Sequence, residues 1–141
     1  MNILTRLLLR PPRLFGLPLG VAGEEWVCYL YQRRGFEIVA RNYTIYAPRK
    51  LGEIDIICRQ GSRLVLVEVK TRSSEQFMDM FEAVDRRKQG YLRRMAKLFL
   101  QQNEQYAESP VQIDVAGVLL DPFDNSVQSV KLIENAVEDT D

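Results

Sequence analysis

Residues 52–70 read Gly-Glu-Ile-Asp-Ile-Ile-Cys-Arg-Gln-Gly-Ser-Arg-Leu-Val-Leu-Val-Glu-Val-Lys. Two runs rich in Ile, Val and Leu flank a tight Gln60-Gly61-Ser62 turn. The pattern predicts a hairpin of strands over Gly52–Arg59 and Arg63–Arg72. Side chains alternate faces along a strand, so Glu53 and Asp55 share a face, as do Glu68 and Lys70. With Gly61-Ser62 as a two-residue loop, Gln60 pairs with Arg63. That register sets Asp55 opposite Glu68 and Glu53 opposite Lys70, and a four-residue loop over Gln60–Arg63 keeps it. A bulge would shift it.

Directly opposed side chains have Cβ atoms roughly 5 Å apart, and like charges there repel. Two carboxylates facing each other on apolar strands call for a compensating cation. Mg²⁺ or Mn²⁺ suits them, since hard divalent ions take oxygen ligands and keep several waters. Lys70 on the same face could orient an attacking water, lower its pKa or stabilise charge on a transferring phosphate. The bland alternative makes these strand-end charges, with Glu53 and Lys70 a surface pair and Asp55 and Glu68 solvated. Taken one residue at a time it suffices; the facing geometry favours the metal site.

Outward from the hairpin, Gly20–Arg34 has a helical pattern closed by Gly35. Phe36–Tyr46 reads as one or two strands, followed by a turn at Ala47-Pro48-Arg49-Lys50. A long helix is expected from Met80 to Asn103, then a strand over Val111–Leu120. Asp121–Ser126 is a turn, and Val127–Ile133 a last strand. The order of elements implies an α/β fold, a mixed sheet flanked by helices. On the first helix, Glu24, Val27, Cys28 and Tyr31 follow helical spacing. Glu24 thus begins the apolar face, where it reaches the metal or makes a helix-dipole contact. On the second, Phe81, Val84, Tyr91, Leu92, Met95 and Phe99 mark the inner stripe, and Lys88 falls within it. Lys88 either snorkels to solvent or contacts substrate phosphate.

The chain has 141 residues, 46% apolar and 27% charged, enough for one domain with one sizeable core. Nineteen basic and nineteen acidic residues cancel, but their distribution is uneven. Before Glu24 the only charged side chains are Arg6, Arg10 and Arg13. Residues 86–97 hold Arg86, Arg87, Lys88, Arg93, Arg94 and Lys97 without an acid, and Glu134, Glu138, Asp139 and Asp141 crowd the end. The acid-free helix run suits phosphate contact, its alternative being a solvated face. The absence of histidine removes Ser-His and Cys-His catalysis and His-ligated metals. Cys28 and Cys58 are too few for a disulfide scaffold or zinc cluster and suit a reducing, cytoplasmic setting. Arginines and prolines interrupt the N-terminal apolar runs, so neither a secretory core nor a membrane span fits. The organisation expected is a flexible or weakly helical basic arm over 1–19, a domain over 20–134 and an acidic tail over 135–141, with no membrane partner.

Gly23-Glu24-Glu25, Gly35, Asn42-Tyr43, Gly52-Glu53-Ile54-Asp55, Val67-Glu68-Val69-Lys70, Ala83-Val84 and Lys88 together resemble the YraN family of predicted endonucleases. The resemblance runs from about Gly20 to Leu119. The Asp-then-Glu-x-Lys core is similar to the restriction-endonuclease-like superfamily, which includes archaeal Holliday junction resolvases. It implies a restriction-endonuclease-like mixed sheet and a divalent metal at Asp55 and Glu68, with Lys70 as the catalytic lysine. Glu24 matches the acidic residue that the resolvases carry on their first helix. The chain departs at Gln112 and Thr44, where Arg is frequent, at Met78, where Gly is frequent, and in an enlarged Ala47–Leu51 turn. These departures bear on DNA contact more than on the metal.

The expectation is a Mg²⁺- or Mn²⁺-dependent endonuclease acting on DNA, branched or single-stranded. Lys88, Arg86, Arg87, Arg93 and Arg94 would contact the backbone, and a two-fold junction substrate would call for a homodimer. The alternatives are a non-catalytic DNA-binding module and a protein-interaction module using the basic helix.

Overall fold

The computed structural model describes residues 2–73 and 86–137. Its elements in chain order are α1 (Ile3–Leu7), α2 (Leu19–Arg33), β1 (Glu37–Tyr46), β2 (Lys50–Gln60), β3 (Arg63–Arg72), α3 (Arg86–Gln102), β4 (Val111–Leu120) and β5 (Val127–Ile133). The strands form one sheet in the order β1-β2-β3-β4-β5. Only β3 and β4 run parallel. A parallel neighbour cannot be reached by a hairpin, so a crossover carrying α3 separates the two. The result is the mixed, helix-flanked α/β sheet read from the sequence, consistent with a restriction-endonuclease-like domain.

Alternation sorts the sheet's side chains onto two cores. Ile56, Cys58, Val65, Val67, Ala116, Val118 and Leu120 pack with Val27, Cys28 and Tyr31 of α2. Ile57, Leu64, Leu66, Ile113 and Val115 pack with Leu92, Met95, Ala96 and Phe99 of α3. Strands buried on both faces read as continuous apolar runs, which is why residues 54–58 and 64–67 carry so few polar side chains. Three of the positions assigned to the inner stripe of the second helix (Leu92, Met95 and Phe99) are buried. Phe81, Val84 and the expected helix start at Met80 lie outside the described residues.

The sequence boundaries hold for local physical reasons. At the end of α2, Gly35 takes φ 93°, a left-handed conformation that only glycine adopts freely. The Gly35 amide donates to the Gln32 carbonyl and that of Phe36 to the Tyr31 carbonyl, both at 3.0 Å. These are Schellman bonds, and an edge-on Tyr31–Phe36 contact accompanies them. The 1–19 segment carries α1, whose first turn is capped by Asn2 accepting from the Thr5 amide at 2.7 Å. The Arg6 guanidinium donates twice to the Arg33 carbonyl, at 3.0 and 2.8 Å, and so serves the C-terminal end of α2. Leu14 is buried in the α2 core. Among the described residues no helix is long and apolar enough to cross a membrane.

Candidate active site

The expected hairpin register is observed. Gln60 faces Arg63, Arg59 faces Leu64, and the ladder continues through Cys58–Val65 and Ile57–Leu66 to Ile56–Val67. It stops there, one step before Asp55 and Glu68. Beyond that point β2 pairs with β1 only, while β3 pairs with β4 as far as Arg72. The two strands have parted. The Val69 amide, which a continued ladder would give to β2 backbone, is bonded instead by the Asp55 carboxylate at 2.8 Å. Asp55 thereby holds the fork open, as a side chain standing in for a strand.

Two further features mark this fork. On β1, Asn42 adopts φ 48°, and the register skips the Asn42–Asp55 step between Arg41–Ile56 and Tyr43–Ile54. Ile54 and Ile57 both join the α3 core, whereas Ile56 joins the α2 core, so the alternation of faces resets across Asp55. Glu53 is therefore not opposite Lys70. It pairs with Thr44 across β1 and makes an ion pair with Lys50 at 2.8 Å. The expected Glu53–Lys70 neighbourhood fails because the hairpin ladder ends too early to create it.

Glu68 sits between two ammonium groups. Lys70 reaches it at 3.1 Å and Lys88, from the first described turn of α3, at 3.0 Å. Its side chain retains only 11% of its exposure, against 25% and 28% for the lysines, so the carboxylate lies deep and the cations rim it. Lys88 also stands 4.8 Å from the Tyr91 ring centre, a cation–π distance. Lys88 thus turns inward to the site and not out to solvent.

Electrostatics ties Asp55, Glu68 and Glu24 into one locus. Burial pushes the Asp55 carboxyl up to about 6, and the negative charges of Glu68 and then Glu24 add to that. The Val69 amide and the Lys70 ammonium oppose the rise without cancelling it. Glu24 is also raised, chiefly by burial and further by Glu53 and Glu25, against a hydrogen bond with Asn42 and the charge of Arg41. Asn42 stands in the motif set that carries the family resemblance, but sequence reasoning assigned it no role at the site. A further signal was its place in a strand, since Asn is depleted in strands and enriched where φ is positive.

Glycines deliver the helices to the site. A Cβ on Gly23 would lie 1.9 Å from Thr71 Oγ1 and within 3 Å of two other Thr71 side-chain atoms, so only glycine lets α2 seat this closely on β3. The next residue is Glu24. A Cβ on Gly52 would likewise lie 1.9 Å from the Tyr91 hydroxyl, so glycine there admits α3 over β2.

The donor set fits a hard divalent ion. All three carboxylates offer oxygen, and their mutual repulsion is the field that such an ion relieves. Among the described residues no three Asp, Glu or Cys side chains close around one point. An ion here would be held by one or two carboxylates, with waters completing its shell. Of the expected phosphate contacts, Arg86, Arg87 and Arg94 are exposed on α3 and Arg93 is half-buried. Burial pushes the thiols of Cys28 and Cys58 up to about 11 and 12, and both are free, so neither serves as a nucleophile.

Asp114 stands apart. It is 1% exposed and faces α2, where it accepts from the Tyr31 hydroxyl, from Gln112 Nε2 at 2.8 Å and from the Asn135 amide at 2.9 Å. Gln112, one of the departures noted above, is thus a donor to a buried carboxylate and not a surface contact.

The description Uncharacterised protein family UPF0102 matches residues 23–118, which takes in Glu24, the fork and α3. The chain belongs to this family. UPF0102 proteins similar to it include one from Caldicellulosiruptor saccharolyticus, 38% identical over 84% of this chain and 95% of the relative. Another, from Desulforamulus reducens, is 39% identical over 84% of the chain and 94% of the relative. A UPF0102 protein from Treponema pallidum is 34% identical over 86% and 93%. This is the YraN family whose residues the sequence resembles, and the residues that build the fork all fall within the matched UPF0102 span.

Proposed function

We propose that this UPF0102 protein is a metal-dependent endonuclease that hydrolyses DNA phosphodiester bonds at the β2–β3 fork. The observation that carries the reading is the convergence at one fork: an Asp55 carboxyl raised by burial and then by Glu68 and Glu24, and a deep Glu68 rimmed by Lys70 and Lys88. Perturbed carboxylates beside a fixed ammonium are what phosphoryl chemistry requires, and they are hard to justify as packing.

Asp55 and Glu68 would hold Mg²⁺ or Mn²⁺, with Glu24 reaching it directly or through water. The ion would polarise the phosphate and acidify a bound water. Lys70, fixed at 3.1 Å from Glu68, donates toward the attacking water and the non-bridging phosphate oxygens. Asp55 is anchored by one carboxylate oxygen to the Val69 amide, which would leave the other free to bind the ion. Lys88 and the α3 arginines Arg86, Arg87, Arg93 and Arg94 contact the DNA backbone on the rim. Water attacks phosphorus in line as one P–O ester bond breaks, and the departing oxygen takes up a proton.

Asp55→Ala should abolish turnover while leaving DNA affinity intact or stronger, because it removes a metal ligand and a negative charge together. Fluorescence anisotropy for binding and gel analysis for cleavage separate the two. Full cleavage by Asp55→Ala would refute the assignment.

A further inference from the structure

The α1 helix is docked the wrong way round for a soluble amphipathic helix. Ile3, Leu4, Leu7 and Leu8 stand 66–70% exposed. At 3.6 residues per turn they cover an arc of about 140°. Arg6, outside that arc, points inward to the Arg33 carbonyl. A surface helix ordinarily buries its apolar stripe and shows its charge. Here the polar contact fastens the helix, and the leucines are presented.

Two further large apolar side chains are exposed in the loops beside the start of α2. Phe15 is 77% exposed and Phe123 is 90% exposed. Asn125 laces their two segments together by donating to the Leu14 and Leu17 carbonyls at 2.8 and 2.9 Å. Beside α1, an apolar cavity of about 220 Å³ is lined by Val27, Leu30, Val130 and Leu132, with Arg33 and Arg34 in its wall. Arg33 also borders the hollow formed by Ile3, Arg6 and Leu7. Exposed apolar side chains clustered on one helix, as on α1, mark an interaction surface.

Charge selects the occupant. Through residue 23 every charged side chain is an arginine, and Arg10 and Arg13 are exposed. A second copy docking two-fold on the same face would bring both pairs of these arginines together. Nucleic acid would set four aliphatic side chains against phosphate and sugar. An anionic bilayer surface satisfies both halves, headgroups on the arginines and acyl boundary on the leucines. Ile3 to Arg13 lie before the residues matched by the family, 23–118.

We propose that Ile3, Leu4, Leu7 and Leu8, with Arg10 and Arg13, dock this protein on an anionic phospholipid surface. The contact is adsorption, which the exclusion of a membrane span does not address, and it is independent of the chemistry at Asp55. The test is co-sedimentation of the full chain with phosphatidylcholine vesicles, alone or mixed with phosphatidylglycerol. The wild type should pellet with the mixed vesicles only, less so in high salt. Leu4→Ser/Leu8→Ser and Arg10→Ser/Arg13→Ser should each bind about tenfold more weakly. Because these side chains are exposed, the variants should melt with the wild type. Absence of binding to mixed vesicles, or equal binding by both variants, would overturn the proposal. A leucine-dependent dimer in lipid-free light scattering would assign the face to a second copy and overturn it as well.

Discussion

Asp55→Asn should stabilise the metal-free protein while removing its activity. The Asp55 carboxyl is raised from 3.8 to about 6, so its ionisation opposes folding. At about 1.4 kcal/mol per pH unit the penalty approaches 3 kcal/mol at neutral pH; partial solvent screening brings it to about 2. Because the folded value lies above the unfolded one, the penalty is complete above about pH 6 and vanishes below about pH 4. The amide carries no charge, and its Oδ1 can still accept from the Val69 amide. In EDTA at pH 7.5 the variant should melt roughly 6 °C above the wild type, taking about 3 °C per kcal/mol for a chain of this size. The difference should fall to about half at pH 5 and close near pH 4. Mn²⁺ should raise the wild-type midpoint and leave the variant's unchanged. A variant as stable as the wild type or less stable, in EDTA at pH 7.5, would refute the claim that burial and neighbouring carboxylates raise the Asp55 carboxyl.

Three other outcomes follow from single contacts. Lys88→Met should lower DNA affinity a few-fold and reduce the salt slope by about 1, with under 1 kcal/mol of stability lost, because its ion pair with Glu68 is partly exposed. Anisotropy titrations across a salt series read this directly, and an unchanged slope would remove Lys88 from the DNA face. Gly23→Ala should destabilise by about 1–3 kcal/mol through the Thr71 clash, and should cost activity beyond that by displacing Glu24. Urea melts and cleavage rates separate these effects, and Thr71→Ala, which removes both Oγ1 and Cγ2, should recover part of the stability. Asp114→Ala should cost about 3 kcal/mol by stranding the Tyr31 hydroxyl, Gln112 and the Asn135 amide, measured by chemical denaturation. A loss below 1 kcal/mol would show that this buried network is dispensable.

The parts of the fold legible in the sequence are those set by local rules. Gly61, at φ 60°, turns the hairpin tightly enough that Gln60–Arg63 fixes the pairs as far as Ile56–Val67, so spacing alone brings Asp55 and Glu68 to the step beyond. Gly35 ended α2 for the same kind of reason. What spacing could not show is where pairing stops. The fork arises because the Asp55 carboxylate captures the Val69 amide, and a side chain's choice of partner fourteen residues away leaves no periodic trace. The part Asn42 plays at the site was hidden because its positive φ is a backbone event in the neighbouring strand. The double clamp on Glu68 depends on where α3 crosses the sheet, and that is set by tertiary packing of Tyr91 over Gly52. Asp114 and Tyr31, 83 residues apart, meet only once β4 is placed parallel to β3.

The central claim is most directly tested by incubating the protein with labelled duplex, single-stranded, flap and four-way-junction DNA in Mg²⁺, Mn²⁺ or EDTA, with Asp55→Ala alongside. The account predicts cutting of at least one of these DNAs with either metal, none in EDTA and none by the variant. Equal cutting by wild type and variant would contradict it. So would binding that persists in EDTA without cleavage in any metal, which would leave a DNA-binding module on this fold.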